Sequence, residues 1–409
     1  MAVLGLNGVI GTGIFFLPGK TTELLGPASV ICFLISAILC ALLVLCFAEA
    51  GSRFQGTGGP MLYTRAAFGD VPGYMVGWIT WIVRITSWGA LANGFVVVSD
   101  AVFPGAEAFR TAILAGLFLA LALLNIVGVT LGARVTAFFT GAKLIPIVVF
   151  IAIGLFHVDA SRFSPFAPHG FSNIGAGTLI ILYAFVGFEV LTVPAGEMRN
   201  PQRSIPRSLA LIMGLVTVVY LGIWAVCTGT LDGLAGSENP VAESAATFLG
   251  PLGGRLVSVG ILLSVLGINA GSALVAPRCL YALAQEGYLP RFLGRVHPGR
   301  KTPVVAIVVT AVLAFLLAWS GSYVELAVIS VIGRFAQYIP TCLAVPVLRV
   351  KDAGRPPGFR MPFGPTVPIA SVILCVWLLA ESEPASLFWG LVGLLSGLVL
   401  YLPYRMFKR

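Results

Sequence analysis

Charge is what this sequence has least of. Only 10% of its 409 residues are Asp, Glu, Lys or Arg, against roughly 25% in a soluble domain, while 58% are hydrophobic. No soluble-looking block interrupts the apolar pattern, so the chain reads as an integral membrane protein. Histidine is scarce as well: His157, His169 and His297 fall in loops or at span ends. None forms a His-x-x-x-His or Asp/His grouping, so neither a metal site nor intramembrane catalysis is expected. No Gly-x-x-x-x-Gly-Lys-Ser/Thr loop is present, which excludes direct drive by ATP, and no cofactor is expected. The seven cysteines (Cys32, Cys40, Cys46, Cys227, Cys279, Cys342, Cys375) lie in apolar runs without paired or metal-ligand spacing, which predicts free, buried thiols. The loops are too short for the output domain of a receptor. The first apolar run leads into Pro18-Gly19-Lys20 without a small-residue cleavage pattern, so no cleavable signal is expected.

What is abundant is apolar sequence in helix-length runs. With about 20 apolar residues per crossing, twelve spans are predicted, at 1–18, 27–50, 71–103, 111–130, 134–157, 174–197, 206–231, 253–285, 303–320, 323–349, 366–381 and 385–404. Gly56-Thr57-Gly58-Gly59-Pro60, Asn200-Pro201, Gly287-Tyr288-Leu289-Pro290 and Arg355-Pro356-Pro357-Gly358 punctuate them. The net charge of +9 reads as loop charge rather than as a nucleic-acid surface. With the N-terminus inside, inner loops and tail carry 17 of the 25 basic residues. The outer loops carry four (Lys20, Arg110, Arg162, Arg255), and four more (Arg84, Lys143, Arg278, Arg334) lie within spans. This bias supports an even span count, with both termini on the cytoplasmic side of the cytoplasmic membrane.

Two of the spans carry sequence that resists a continuous helix. Gly8-Val9-Ile10-Gly11-Thr12-Gly13-Ile14-Phe15 puts glycines at 8, 11 and 13, each costing about 1 kcal/mol in a helix relative to Ala. Phe185-Val186-Gly187-Phe188-Glu189 does the same in the sixth span. Broken backbone is tolerated at membrane depth only where its freed groups face protein or a wet cavity. Breaks at positions 1 and 6 fit two inverted five-helix repeats, about 1–157 and 174–349, with extra helices at about 366–404, all in one transporter domain. A zwitterion matches such a site. Its carboxylate would meet the amides of Gly11, Thr12 and Gly13 and the Thr12 hydroxyl, and its ammonium the carbonyls of Val9, Ile10, Tyr183 and Val186. The alternative is that these glycines only let helices pack closely.

These residues carry a resemblance. The Gly8–Phe15 stretch resembles the first-helix signature of the amino acid–polyamine–organocation superfamily of transporters. Phe185–Glu189, with Glu197-Met198-Arg199-Asn200-Pro201-Gln202-Arg203-Ser204-Ile205-Pro206, resembles its sixth helix and following loop. Tyr281-Ala282-Leu283-Ala284-Gln285-Glu286-Gly287-Tyr288-Leu289-Pro290 resembles the end of its eighth. The resemblance covers nearly the whole chain. It implies an all-α, leucine-transporter-like fold, ten core helices in two inverted repeats plus two more, and alternating-access transport of amino acids or amines held at the breaks in helices 1 and 6.

Ionisable residues at bilayer depth are functional candidates. Lys143 lies nine residues past Arg134, about 13 Å along a helix. Gly141-Ala142-Lys143-Leu144-Ile145-Pro146 resembles the fifth-helix pattern of sodium-independent family members, in which a lysine takes the place of a sodium ion. Its ammonium could bond carbonyls of the first break, and its burial opens a route to proton coupling. The alternatives are snorkelling or a carboxylate partner. Glu189 is read either as a cap for the second half of helix 6 or as a protonatable gate. Glu49, Arg84, Arg278 and Arg334 are read as pairs that fix helix register. Of the aromatics near the breaks (Phe15, Phe16, Tyr183, Phe185, Phe188), Tyr183 and Phe188 are the preferred rings over the site. Only Glu189 could serve a cationic side chain, so a neutral amino acid is favoured over a cationic one. The expectation is sodium-independent amino acid transport by proton symport or exchange. The alternatives are a cationic amino acid or polyamine antiporter and, from a different class, a passive channel, which would need polar residues along a whole helix face.

Overall fold

A computed structural model of the chain describes residues 6, 8–54, 56, 58–192, 200–351 and 357–407. Glu197, Met198 and Arg199 of the loop motif, and Arg355, Lys408 and Arg409 of the basic residues counted above, lie outside them. The described residues are almost all helical and include no strand. The helices are α1 (Gly13–Leu25), α2 (Val30–Arg53), α3 (Pro60–Phe68), α4 (Asp70–Val102), α5 (Arg110–Val127), α6 (Val129–Gly154), α7 (Ile174–Phe185), α8 (Pro201–Thr230), α9 (Pro240–Gln285), α10 (Val304–Ser320), α11 (Tyr323–Lys351), α12 (Thr366–Ala380) and α13 (Pro384–Phe407). Among the described residues, eight segments are long and apolar enough to cross a membrane, and three shorter apolar helices accompany them.

Boundaries differ from the sequence reading where local chemistry was ambiguous. The first span was expected to end at residue 18, yet α1 carries Pro18 in its interior and continues to Leu25. A proline is tolerated inside a membrane helix because neighbouring groups re-satisfy the freed carbonyl. The glycine-rich punctuation at 56–60 is followed by an unexpected helix, α3, that starts on Pro60; proline is preorganised for the first helical position. Helix α9 begins 13 residues before the expected span, at Pro240 rather than 253, and kinks at Gly250, whose φ is +70°.

Burial separates the interior from the rim. In its most apolar stretch α4 is 83% buried, whereas α13 is 11% buried. Helix α4 runs through the centre, packed against α9, α11 and α10, while α2 lies against α7 and α8. Peripheral helices turn large apolar side chains outward, among them Leu119 and Leu123 of α5, Leu211 and Val218 of α8, and Ile369 and Ile373 of α12. Lipid is a good solvent for such a surface, so association inside depends on close packing and on polar contacts. Asn269 of α9 donates to the Leu91 carbonyl of α4 at 3.0 Å. Asn93 of α4 donates to the carbonyls of Ala318 and Gly321 at 3.0 and 2.9 Å. All seven cysteines are free and buried.

Candidate functional site

The first helix is interrupted where its glycines cluster. Gly8 and Val9 are helical, Ile10 to Thr12 form a bend, and α1 starts at Gly13. In the other interrupted segment, α7 ends at Phe185, Val186 is extended, and Gly187 takes φ +112°. A short 3-10 turn, Phe188–Thr192, follows. The breaks touch: a Cβ on Gly187 would lie 2.2 Å from the Gly8 carbonyl oxygen. Only glycine meets both demands there, the left-handed φ and the close approach. At Gly13 a Cβ would lie 3.0 Å from Ala184, so close helix packing and the break are both present in this one glycine-rich stretch.

Side chains hold the loosened backbone in place. Lys143 Nζ, on α6, donates to the Ile10 carbonyl at 2.6 Å and is buried. The Tyr220 hydroxyl of α8 sits 3.0 Å from the Val9 carbonyl and 2.9 Å from the Ala184 carbonyl, tying one break to the other. Of the four carbonyls expected to meet an ammonium, that of Ile10 therefore already accepts a bond, that of Val9 shares the Tyr220 proton with Ala184, and each retains a lone pair. The amides at the start of α1 lack intrahelical acceptors by helix geometry. The Thr12 hydroxyl is buried.

Between the breaks lies a cavity of about 50 Å³, room for a few water molecules or a small solute. Its wall includes Gly8, Val9, Gly11 and Gly13 from the first break, Tyr183, Val186 and Gly187 from the second, and Ile268, Gly271 and Ser272 from α9. Arg84 and Ser87 of α4 and Arg334 of α11 also line it. Ile10, Thr12, Phe185 and Phe188, expected at the site, are not in this wall. Phe185 packs edge-on against Tyr220, with centroids 4.9 Å apart, and Phe188 stacks on Tyr338 at 5.7 Å. Tyr183 remains at the wall, and its ring meets Tyr323 edge-on at 6.0 Å, with Phe16 on the other side of Tyr323 at 5.5 Å.

An ionic cluster surrounds Glu189, which is fully buried. Its Oε1 accepts from Arg84 Nη2 at 3.2 Å and from Arg334 Nε at 3.1 Å. Its Oε2 accepts from the Tyr338 hydroxyl at 3.1 Å and from the Gly187 amide at 2.9 Å. Glu189 thus accepts from the backbone amide at the break itself and also joins α4 to α11. Arg84 and Arg334 were read as register-fixing pairs. They do bridge helices, but they also face the cavity, and sequence reasoning left them out of the site. The usable signal was their charge at bilayer depth combined with a carboxylate beside the second break. Glu49 behaves as the register reading expected: Arg349 of α11 grips both its oxygens at 2.7 and 2.6 Å, and Arg53 and the Met361 amide donate at 3.3 and 3.0 Å. Arg278 bonds the Leu274 carbonyl one turn back.

Two facing helix breaks around a small cavity, with a buried lysine on the first break, suit a carrier of small solutes. The model of the amino acid permease family matches residues 1–397. The chain belongs to that family. This permease is therefore a multi-pass membrane transporter of the amino acid–polyamine–organocation superfamily and not an enzyme. It is 26% identical over 424 residues to the branched-chain amino acid permease BcaP of Bacillus subtilis, an alignment spanning 99% of this chain and 91% of the other. It is 29% identical over 418 residues to the serine/threonine exchanger SteT of the same organism, spanning 99% and 95%. It is 30% identical over 383 residues to cationic amino acid transporter 4 of Mus musculus, spanning 87% and 60%. These relatives carry three different kinds of side chain in their names, so likeness places the permease among amino acid transporters without selecting a substrate.

Proposed function

We propose that this permease is a sodium-independent secondary transporter that moves amino acids across the cytoplasmic membrane by alternating access, coupled to protons or to exchange. The observation that carries the reading is the pair of abutting breaks at Ile10–Thr12 and Val186–Gly187 around one cavity. In this reading the substrate carboxylate lies against the amides of Gly11, Thr12 and Gly13 and the Thr12 hydroxyl. The ammonium takes the second lone pairs of Val9 and Ile10 together with the carbonyls of Tyr183 and Val186. Lys143 stands where a coupling cation would otherwise brace the first break, which makes external sodium unnecessary. Tyr183, against Tyr323, and Arg84 and Arg334, both paired with Glu189, line the site.

The fold that fits is twelve spans, ten of them in two inverted repeats. A segment of 41 residues, Gly13–Arg53, would be about 60 Å long as a helix, twice the hydrocarbon thickness. The 3-10 turn at Gly26–Ser29 divides it into two crossings. With both termini cytoplasmic, the aromatic group faces outward and the ionic cluster inward. A cationic side chain is disfavoured, because two arginines meet one carboxylate at the cavity wall, and like charge in a low dielectric is costly. A passive channel is disfavoured because the polar groups gather at the breaks instead of running along a whole helix face.

Reconstituted vesicles test the reading. Labelled amino acid should enter without sodium, and unlabelled amino acid inside should accelerate its entry. Vesicles that show neither uptake nor acceleration for any amino acid would sink it.

A further inference from the structure

The cluster at the cavity wall is unevenly satisfied. The four bonds to Glu189 fill the acceptor sites of its carboxylate. It has nothing left to offer a substrate. Arg334 is likewise occupied: besides Glu189, its Nη1 donates to the Ser330 carbonyl and hydroxyl at 3.1 and 2.9 Å, and its Nη2 to the Ser87 hydroxyl at 2.9 Å. Arg84 is the exception. It is 7% exposed, it lines the cavity, and its Nε has no hydrogen-bond partner among the described residues. Two guanidinium groups against one carboxylate also leave the wall with one surplus positive charge. A buried donor without an acceptor is a desolvation cost that an occupant of the cavity can remove.

We propose that Arg84 is a side-chain selectivity residue, and that the permease prefers small amino acids whose side chain ends in an acceptor oxygen, a carboxylate foremost, over apolar ones of equal size. This deepens the function proposed above and rests on it. The α-carboxylate and α-ammonium are taken by the first and second breaks, so what reaches α4 is the end of the side chain. An oxygen there accepts from Arg84, and a carboxylate also offsets the surplus charge. An isopropyl or isobutyl group of the same size would fill the space and leave the guanidinium unpaired, the situation in which hydrogen-bonding sites discriminate most strongly. The cavity, about 50 Å³, favours the shorter members of the class.

Competition against labelled substrate in vesicles, read together with thermal stabilisation of the purified protein, decides it. Aspartate and asparagine are compared with leucine, and threonine with valine, as near-isosteric pairs. The wild type should prefer the oxygen-bearing member of each pair by at least about tenfold. Arg84→Gln should bring the ratios to within about threefold, and Arg84→Lys, which restores a donor and the charge, should recover part of the aspartate preference. Equal or better recognition of leucine and valine by the wild type overturns the proposal, as do unchanged ratios in a folded Arg84→Gln protein. The wild-type panel decides the matter even where the variants fail to fold. If the wild type recognises no amino acid at all, the transport reading itself falls. If it recognises amino acids but ranks leucine and valine first, only the role of Arg84 falls.

Discussion

At the scale of single residues, the site is built from groups that compensate for missing helix bonds. Lys143 contributes a charged hydrogen bond to the Ile10 carbonyl, an interaction of about 1.5–3 kcal/mol. Replacing it removes that brace without opening the surface, because Lys143 is buried. Lys143→Ala is expected to abolish or uncouple transport while the protein is still inserted and extractable, as measured by vesicle uptake beside membrane abundance. Uptake at the wild-type rate would exclude a coupling role for this lysine. Gly187 is a different case. Its φ of +112° and the 2.2 Å approach to the Gly8 carbonyl leave no place for a methyl group. Gly187→Ala should destabilise the purified protein by at least about 2 kcal/mol from backbone strain alone. Gly214→Ala serves as control, since a Cβ there meets nothing within 4 Å. Comparable melting of the two variants would mean that the breaks do not need to touch.

At the scale of elements, one glutamate fastens three pieces of chain. Glu49 near the end of α2 holds Arg349 near the end of α11 and the Met361 amide ahead of α12. Such bidentate arginine–carboxylate pairs are strong and geometrically demanding. Removing one partner of a buried pair leaves an uncompensated charge, at a cost of roughly 3–5 kcal/mol. Glu49→Ala should therefore lower the unfolding midpoint markedly. Glu49→Ala combined with Arg349→Met should recover part of the loss, a non-additivity that a double-mutant cycle measures. A strictly additive pair would show that the two side chains act separately.

At the scale of the whole molecule, orientation and coupling are the quantities to test. Ser172 and Arg300 are both exposed and lie in loops on opposite sides of the proposed topology. Because the native cysteines are all buried, background labelling should be low. A membrane-impermeant maleimide added to intact cells should modify Ser172→Cys and should reach Arg300→Cys only after permeabilisation; the reverse pattern would invert the molecule. Replacing external sodium with choline should leave uptake unchanged. A fall to background would show that Lys143 does not stand in for the ion.

Some of this was fixed by sequence alone, and some was not. Low charge and helix-length apolar runs determine an all-helical membrane protein, because only a helix satisfies every backbone group within its own segment. Glycine at 8, 11, 13 and 187 determined where helices fail, since backbone propensity is local. The lysine facing the first break was legible as a charge at depth. Other features depended on contacts between residues far apart in the chain. Arg84, Glu189 and Arg334 lie more than a hundred residues from one another and meet only when α4, α11 and the second break converge. Phe185 and Phe188 looked like site residues by position, but side-chain direction turned them into the packing around Tyr220 and Tyr338. Spacing along a helix says which residues sit near a break. Which of them face the cavity depends on how the neighbouring helices are rotated, and that is settled only by tertiary packing.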